Sequence, residues 1–298
     1  MVCLVTGNRG FVGSALTSYL VSIGYDVIGF DMLNDYPTVE VLADFMKTND
    51  VDKVYHLGAR AFIPANFGMT IGTIVNSNIM FTANLLMACR KADIKRLLYF
   101  STSEVFGNAK LPINEFAPRN PQSTYAATKL AAENLVRTFR DEMEMDMRII
   151  NHFNIYGPGD TQPRVIPKIM HAAKKDRILK FGTLDVTRDF TYVLDACIAA
   201  KNIMEYKFQS DFVHGSGIET SLKELVDLIS DIYDTEILIE TDSSLIRPRE
   251  VYRLMADRSK YKMTFPLHKP VDLRTGLEYT KEWYDKHDWL WENGETTK

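Results

Sequence analysis

The sequence has few cysteines, little net charge and no long apolar run. Its 298 residues include only Cys3, Cys89 and Cys197, whose wide spacing in apolar stretches predicts buried free thiols rather than disulfides or a metal site. The formal net charge of -4 indicates no nucleic-acid partner. No basic leader precedes the first apolar run, and no uninterrupted apolar stretch reaches the roughly twenty residues that cross a bilayer. We therefore expect a cytoplasmic protein that is neither secreted nor membrane-spanning.

A glycine-rich turn follows the first apolar run. Residues 1–6 have the length and composition of a strand, and the apolar spacing after residue 13 predicts a helix. Between them lie Gly7, Gly10 and Gly13. In this context the first glycine permits a tight turn, the second lets the backbone approach a pyrophosphate, and the third allows the helix to pack closely on the strand. The turn therefore predicts a dinucleotide site.

An acidic residue ends the second predicted strand. Asp31 lies eighteen residues beyond Gly13, after the apolar run 27–30. A carboxylate there suits the ribose hydroxyls of NAD and would repel the additional phosphate of NADP. Arg9 is the opposing feature, since a loop arginine either accepts that phosphate or remains a solvated charge. We predict NAD as the cofactor.

Strand-like and helical runs alternate as far as residue 155. The predicted strands are 1–6, 26–31, 53–57, 96–101 and 147–153. Such alternation predicts an α/β fold, a Rossmann-like doubly wound parallel sheet whose ligands bind at the carboxyl ends of the strands. After it, prolines interrupt the pattern before an amphipathic helix from Leu222 to Tyr233. We expect an NAD-binding domain over residues 1–155 and a smaller substrate-binding lobe over 156–298, with elements that can interleave.

A tyrosine and a lysine lie about one helical turn apart. Tyr125 and Lys129 would share one helix face, where the ammonium can lower the pKa of the phenol and make it a candidate general base. This spacing also occurs on ordinary amphipathic helices, so its meaning depends on its surroundings. About two dozen residues earlier, Thr102 can hydrogen-bond the hydroxyl that loses its proton. Glu104 adds a carboxylate that alcohol oxidation does not require, which indicates a further step.

Eight motifs occur in an order typical of one enzyme family. They are Thr6-Gly-x-x-Gly-x-x-Gly13, His56-Leu-Gly-Ala59, Asn78-Ile-Met-Phe-Thr82, Ser101-Thr-Ser-Glu-Val-Phe-Gly107, Tyr125-x-x-x-Lys129, Asn154-Ile-Tyr-Gly-Pro158, Arg188-Asp-Phe-Thr-Tyr-Val193 and Arg247-Pro-Arg-Glu-Val251. The chain resembles, over nearly its whole length, the extended short-chain dehydrogenases/reductases that act as NAD-dependent nucleotide-sugar epimerases and dehydratases. The resemblance implies a Rossmann domain, tightly held NAD(H), a nucleoside-diphosphate sugar as substrate, and a homodimer formed through helices 71–91 and 123–142.

The resemblance also implies the roles of individual residues. Asn154 would contact the sugar diphosphate, and Arg188 and Arg247 would clamp it, because a diphosphate needs charge-assisted partners. Either arginine is otherwise a surface ion pair. The catalytic set is Thr102, Ser103, Glu104, Tyr125 and Lys129. The cofactor set is Gly7, Arg9, Gly10, Phe11, Val12, Gly13, Asp31, Leu57, Gly58, Ala59, Ser101, Tyr125 and Lys129.

Two features depart from the family pattern. The third strand that usually flanks the adenine is missing or reduced to residues 38–42. Asp44 is the nearby acid that either substitutes there or is a solvated helix position. Phe106 stands where the family usually has tyrosine, a change that we expect to affect packing only.

Glu104 indicates the reaction that follows C4 oxidation. In this family Tyr125 would deprotonate the C4 hydroxyl, and the resulting 4-keto group acidifies the C5 hydrogen. Glu104 can remove that hydrogen, after which loss of the C6 hydroxyl and return of the hydride to C6 give a 4-keto-6-deoxy sugar. The Thr-Ser-Glu triplet resembles that of 4,6-dehydratases acting on GDP-mannose or UDP-N-acetylglucosamine. Ser103 replaces an aspartate of the dTDP-glucose enzymes, so the proton donor is Ser103, a water or Glu104.

Other reactions remain open from the sequence. A 4-epimerase does not need Glu104 but tolerates it, and UDP-glucuronate decarboxylases carry a similar triplet. A 4-keto reductase is a further alternative. A catalytically silent dinucleotide-binding protein is the alternative of a different class, and the intact Thr102, Tyr125 and Lys129 argue against it. We predict a nucleotide-sugar 4,6-dehydratase.

Overall fold

Strands and helices alternate along the chain in the computed structural model, which describes residues 1–31, 37–60, 71–175, 177–246 and 249–287. The strands are β1 (Val2–Thr6), β2 (Asp26–Phe30), β3 (Val51–His56), β4 (Arg96–Thr102), β5 (Asp146–His152), β6 (Ile155–Tyr156), β7 (Ile178–Phe181), β8 (Thr187–Arg188), β9 (Thr191–Tyr192), β10 (Phe212–His214), β11 (Thr220–Ser221) and β12 (Leu238–Thr241). The helices are α1 (Phe11–Ser22), α2 (Val39–Thr48), α3 (Ile71–Val75), α4 (Phe81–Lys91), α5 (Thr124–Met143), α6 (Val165–Lys174), α7 (Val193–Glu205), α8 (Leu222–Tyr233), α9 (Ser259–Thr264) and α10 (Leu273–Asp285).

Six strands form a central parallel sheet. Their order is β10-β5-β4-β3-β1-β2, and every neighbouring pair is parallel. The chain continues to one side of β1 with β2 and then to the other side with β3, which creates a switch point next to the end of β1. The predicted fold class is confirmed. The ends of β1, β4 and β5 meet at one edge of this sheet, where ligands of such folds bind.

The two faces of the sheet are covered by separate apolar layers. One layer contains Leu16 and Leu20 of α1 together with Ile203 of α7, all fully buried. The opposite layer contains Leu42 of α2, Leu85 of α4 and Val136 of α5. These helices present apolar residues at spacings of three and four, so each buries one face against the sheet. Cys3, Cys89 and Cys197 are buried free thiols within these layers, as predicted.

The helix ends follow from local sequence. Ser123 accepts a hydrogen bond from Ala126 N at 3.1 Å and so caps the start of α5. Ser221 and Glu224 form a reciprocal capping box at the start of α8. That helix runs from Leu222 to Tyr233, the range predicted from its amphipathic pattern.

The region expected to hold a reduced third strand is helical. Thr38 caps α2, since its side chain accepts a hydrogen bond from Val41 N at 3.3 Å. Leu42 and Met46, four residues apart, are buried on one face of that helix. The strand interpretation of residues 38–42 is therefore wrong, because capping and a helical spacing of apolar residues decide the structure. Asp44 occupies an exposed position on α2.

The predicted helix over residues 71–91 is continuous but irregular. α3 and α4 are joined by one π-helical segment, Asn76–Met80. By length and composition alone this stretch would qualify as a membrane span. However, Phe81, Leu85 and Cys89 are buried in the apolar layer beside α2 and α5, which is the packing of a core helix.

The second half of the chain contributes to the central sheet. β10 pairs with β5, and Phe212 lies beside Ile150 in the register. Besides the central sheet, the described residues form three two-stranded sheets, in which β6 pairs with β9, β7 with β12, and β8 with β11. The boundary at residue 155 stays a prediction, and elements beyond it interleave with those before it.

Candidate active site

The glycine turn depends on residues that have no side chain. Gly7 adopts a φ of +71°, which favours glycine. A Cβ atom at Gly13 would lie 2.0 Å from Gly7 O. α1 begins at Phe11 after Gly10, and no side chain in the described part of the protein caps its first N–H groups. The open helix N-terminus and the bare turn fit the pyrophosphate of a dinucleotide.

The acid at the end of β2 is held against this turn. The Asp31 carboxylate accepts a hydrogen bond from Arg9 N at 3.0 Å, while the Arg9 residue itself is exposed. Asp31 is thus fixed next to the turn at the edge strand of the sheet, where the sequence placed a ribose contact.

The loop after β3 packs on the same turn. Gly58 N donates to Thr6 Oγ1 at 3.1 Å, and a Cβ at Gly58 would lie 2.7 Å from the Phe81 ring. The two ring nitrogens of His56 contact Thr6 Oγ1 at 2.7 Å and Thr82 Oγ1 at 2.9 Å. Burial lowers the pKa of His56 to about 3, so the imidazole is neutral. Leu57 N also donates to Thr6 O at 3.3 Å, so Leu57 and Gly58 lie against the turn.

Thr102 and Glu104 lie beside Tyr125 at the end of β4. Thr102 hydrogen-bonds the Tyr125 phenol, and the charge of Glu104 also acts on that phenol. The Glu104 carboxylate accepts a hydrogen bond from Ser123 Oγ at 3.3 Å. Ser103, between them, is 2% exposed. The fold therefore brings together the three groups that the sequence selected for proton transfer.

The pKa of Tyr125 is raised above its usual value. Burial is the largest cause, and the Glu104 carboxylate adds to it. The charge of Arg164 and the hydrogen bond from Thr102 act in the opposite direction. The sequence predicted that Lys129 would lower this pKa, and the cation that does so here is Arg164 instead.

Lys129 is hydrogen-bonded to the main chain of β4. Its Nζ donates to Phe100 O at 2.6 Å and lies 4.2 Å from the centroid of the Tyr99 ring. Burial lowers the pKa of Lys129 to about 7, and the nearby Glu133 carboxylate opposes the shift. Ser101 Oγ donates to the same carboxylate at 2.5 Å. The partners that the structure gives this ammonium are thus a main-chain carbonyl and an aromatic face.

The predicted substrate residues differ in their surroundings. Asn154 Oδ1 is buried and, among the described residues, has no hydrogen-bond partner. Such an acceptor fits a ligand donor, since an unmade buried hydrogen bond is costly. Arg188 forms an ion pair with Glu250 at 3.2 Å. Arg247 lies outside the described residues.

Arg164 is a site residue that the sequence analysis missed. It precedes α6, pairs with the buried Asp160 at 3.1 Å, and lies 5.8 Å from the Phe11 ring centroid. Its side chain is 33% exposed, so it remains open to a ligand. The only sequence signal is an arginine before an apolar helix, which does not distinguish it from a surface residue.

The match to a family model decides the assignment. The model of the NAD-dependent epimerase/dehydratase family matches residues 3–212. The chain belongs to this family. Membership confirms the resemblance drawn from the eight motifs and, because the family is NAD-dependent, the prediction of NAD as the cofactor.

Relatives of this epimerase/dehydratase family member include proteins with different reactions. A UDP-glucuronate 4-epimerase of Thermodesulfobacterium geofontis is 26% identical over 94% of this chain and 95% of that protein. A dTDP-D-glucose 4,6-dehydratase of Bos taurus is 26% identical over 98% of this chain and 91% of that protein. The solved structure of MoeE5 in complex with UDP-glucuronic acid and NAD has a TM-score of 0.87 and 26% identity over 96% of this chain and all of that chain. The comparisons support an NAD-dependent enzyme acting on nucleotide sugars.

Proposed function

We propose that this enzyme oxidises C4 of a nucleoside-diphosphate hexose and then eliminates water across C5 and C6, as a 4,6-dehydratase. The observation that carries the proposal is the carboxylate of Glu104, which acts on the Tyr125 phenol and is hydrogen-bonded to Ser123 at 3.3 Å. Oxidation of an alcohol does not need this acid. A second base next to the first does suit removal of the C5 hydrogen.

The cofactor would be held by the glycine turn and Asp31. Gly7, Gly10 and Gly13 leave room at the N-terminus of α1, and Asp31 is fixed beside them. When bound, NAD would supply the acceptor for the hydride that leaves C4 and the donor that returns it to C6 after water is lost. Ser101 supports this region indirectly, since its hydroxyl is bonded to Glu133.

The proton transfers would be made by residues at the end of β4 and on α5. Thr102 orients the C4 hydroxyl, and Tyr125 takes its proton. Lys129 provides a positive charge behind Tyr125, near the Phe100 carbonyl. Glu104 then removes the C5 hydrogen. Because Ser103 is 2% exposed, Glu104 or a water is the better donor to the departing C6 hydroxyl.

The nucleotide half of the substrate would lie toward the second half of the chain. Asn154 offers its buried Oδ1, and Arg188 offers a guanidinium that is paired with Glu250. Arg247 is proposed as the second cation from its sequence motif. These residues would recognise the diphosphate of any nucleoside.

Arg164 favours a second candidate function. The Arg164 side chain is 33% exposed, and its charge acts on Tyr125. A neutral hexose does not require such a cation, whereas the carboxylate of a nucleotide-linked uronic acid would pair with it. The chain would then be a 4-epimerase or a decarboxylase of such a sugar. MoeE5 was solved in complex with UDP-glucuronic acid and also with UDP-glucose, so relatives of this fold bind both kinds of sugar.

The mass of the product separates these reactions. The enzyme would be incubated with GDP-mannose, UDP-N-acetylglucosamine, UDP-glucose, UDP-glucuronate and dTDP-glucose in turn. Loss of water would support the dehydratase, loss of carbon dioxide the decarboxylase, and an unchanged mass with an altered sugar the epimerase. Copurified NAD with no turnover of any substrate would favour a non-catalytic dinucleotide-binding protein.

We also propose that the enzyme is a cytoplasmic homodimer. Met80 and Met87, seven residues apart along the α3–α4 segment, are 48% and 46% exposed, and Leu135 of α5 is 37% exposed. An apolar stripe on two neighbouring helices suits an isologous interface. The molar mass by light scattering tests it, since Met87→Glu should give monomers whereas a wild-type monomer would contradict the proposal.

A further inference from the structure

Asn108 connects the catalytic turn to a distant segment of the chain. It follows Gly107, just after the short helix Ser103–Phe106 that carries Glu104. Asn108 Nδ2 donates to Glu250 O at 2.9 Å, and Asn108 Oδ1 accepts from Tyr252 N at 2.9 Å. The side-chain amide therefore pairs in both directions with one stretch of main chain, as a residue of a neighbouring strand would.

The segment bound by Asn108 also packs on the strand that carries Arg188. Thr187 N donates to Tyr252 O at 2.8 Å, and Leu254 N donates to Thr187 O at 3.3 Å. The buried carboxylate of Asp189 accepts from Ala256 N at 3.0 Å. Residues 250–256 are thus held by residues 187–189 on one side and by Asn108 on the other.

Glu250 joins these contacts to the proposed diphosphate site. Its carboxylate pairs with the Arg188 guanidinium at 3.2 Å, and the two side chains are only 12% and 13% exposed. Its main-chain carbonyl is the acceptor of the Asn108 amide. A shift of that carbonyl would therefore move the carboxylate that orients Arg188.

We propose that Asn108 is a positioning residue, which fixes the main chain at residues 250–252 so that Glu250 aims Arg188 at the substrate diphosphate. The inference rests on the proposed function, in which Arg188 binds that group. Alanine at position 108 removes both hydrogen bonds. Aspartate keeps the acceptor for Tyr252 N but has no donor for Glu250 O at neutral pH.

The test is the affinity of the NAD-loaded enzyme for nucleoside diphosphates. UDP, GDP and dTDP would be titrated by calorimetry, and the one that binds wild-type enzyme most tightly would be used for the variants. We expect Asn108→Ala to weaken it about fivefold, taking each exposed hydrogen bond at the low end of its usual worth. Asn108→Asp should weaken it as well, and KM should rise more than kcat falls. Asn114→Ala is the matched control in the same loop, because among the described residues the Asn114 side chain bonds only Phe116 N, at 3.0 Å.

Arg188→Met distinguishes an error in the proposed diphosphate site from an error in the proposed role of Asn108. If this variant binds the nucleoside diphosphate as wild type does, the proposed diphosphate site is wrong. If Arg188→Met weakens binding and both Asn108 variants do not, the positioning role of Asn108 is overturned. The bound NAD and the thermal midpoint should stay near wild type in the Asn108 variants. Loss of NAD together with a lowered midpoint would make Asn108 a residue of the fold instead.

Discussion

Buried histidines should make the stability of this enzyme strongly dependent on pH below neutrality. Burial lowers the pKa of His56 and His152 to about 3 each, from an ordinary value of 6.5. The pKa of His214 is lowered as well. Since these groups are neutral in the folded state and gain protons on unfolding, stability is present above pH 6.5 and is lost as the pH falls toward 3.

The magnitude follows from linkage. Between pH 6.5 and pH 5, each histidine whose folded-state pKa is far below the window costs about 1.6 kcal/mol of unfolding free energy, so His56 and His152 together cost about 3 kcal/mol. That is a large part of a typical stability of about 5–15 kcal/mol. Carboxyl groups ordinarily titrate below pH 5, so the window reports mainly on the imidazoles; burial raises the pKa of Asp160 and Asp189, whose effect on stability has the opposite sign.

His152→Phe is the informative perturbation. Among the described residues, neither ring nitrogen of His152 has a hydrogen-bond partner, and the ring packs against Phe100 and His214 at centroid distances of 5.1 and 5.3 Å. A phenyl ring should therefore fit without breaking a hydrogen bond. We expect the variant to be at least as stable as wild type at pH 7.5 and to lose about 1.6 kcal/mol less between pH 6.5 and pH 5. Urea unfolding at fixed pH values measures both quantities. The same loss in both proteins would refute a buried neutral His152.

Four substitutions test the site itself. Tyr125→Phe should slow reduction of bound NAD by the true substrate about 10²-fold or more while NAD stays bound, and near wild-type reduction would remove Tyr125 from the mechanism. Glu104→Gln should oxidise C4 but stall before water is lost, so that enzyme-bound NADH accumulates. Wild-type enzyme run in deuterium oxide should place deuterium at C5 of the product. Normal turnover of the variant together with no deuterium at C5 would mean that the reaction is epimerisation and not elimination. Gly13→Ala places a Cβ 2.0 Å from Gly7 O and should abolish copurification of the dinucleotide, whereas the neighbouring Ser14→Ala should not. Arg164→Met should move the acidic limb of the kcat profile to higher pH, because this cation lowers the pKa of Tyr125; an unmoved limb, or an equal shift in Arg164→Lys, would contradict this.

Much of the cofactor site could be predicted from sequence because it is local. The glycine turn, its strand and its helix are contiguous, so spacing alone places Gly7 and Gly13 at the helix N-terminus. The alternation of strands and helices likewise predicted the parallel sheet. The failure at residues 38–42 was also local, since a short apolar run is compatible with a strand until its cap and longer spacing are weighed.

The charges around Tyr125 could not be predicted because they come from distant parts of the chain. Spacing placed Lys129 on the face of the phenol, but the ammonium bonds the Phe100 carbonyl, 29 residues away in sequence. The charge of Arg164, which precedes α6, acts on the phenol with no sequence motif to mark it. Asn108 and Glu250 are 142 residues apart. Which distant residues meet depends on the order in which the strands lie in the sheet. The periodicity of the sequence does not specify that order.

The two candidate reactions make opposite use of Arg164. With a neutral hexose bound, its charge remains available to lower the pKa of Tyr125 and so to favour the first proton transfer. A uronate carboxylate on Arg164 would cancel part of that charge, and burial together with Glu104 would then keep the phenol protonated to higher pH. Among the described residues, Arg164 is the cation that lowers the pKa of this phenol. The activity of a uronate enzyme would therefore begin at a higher pH than that of a dehydratase of neutral sugars, in which no substrate carboxylate neutralises Arg164.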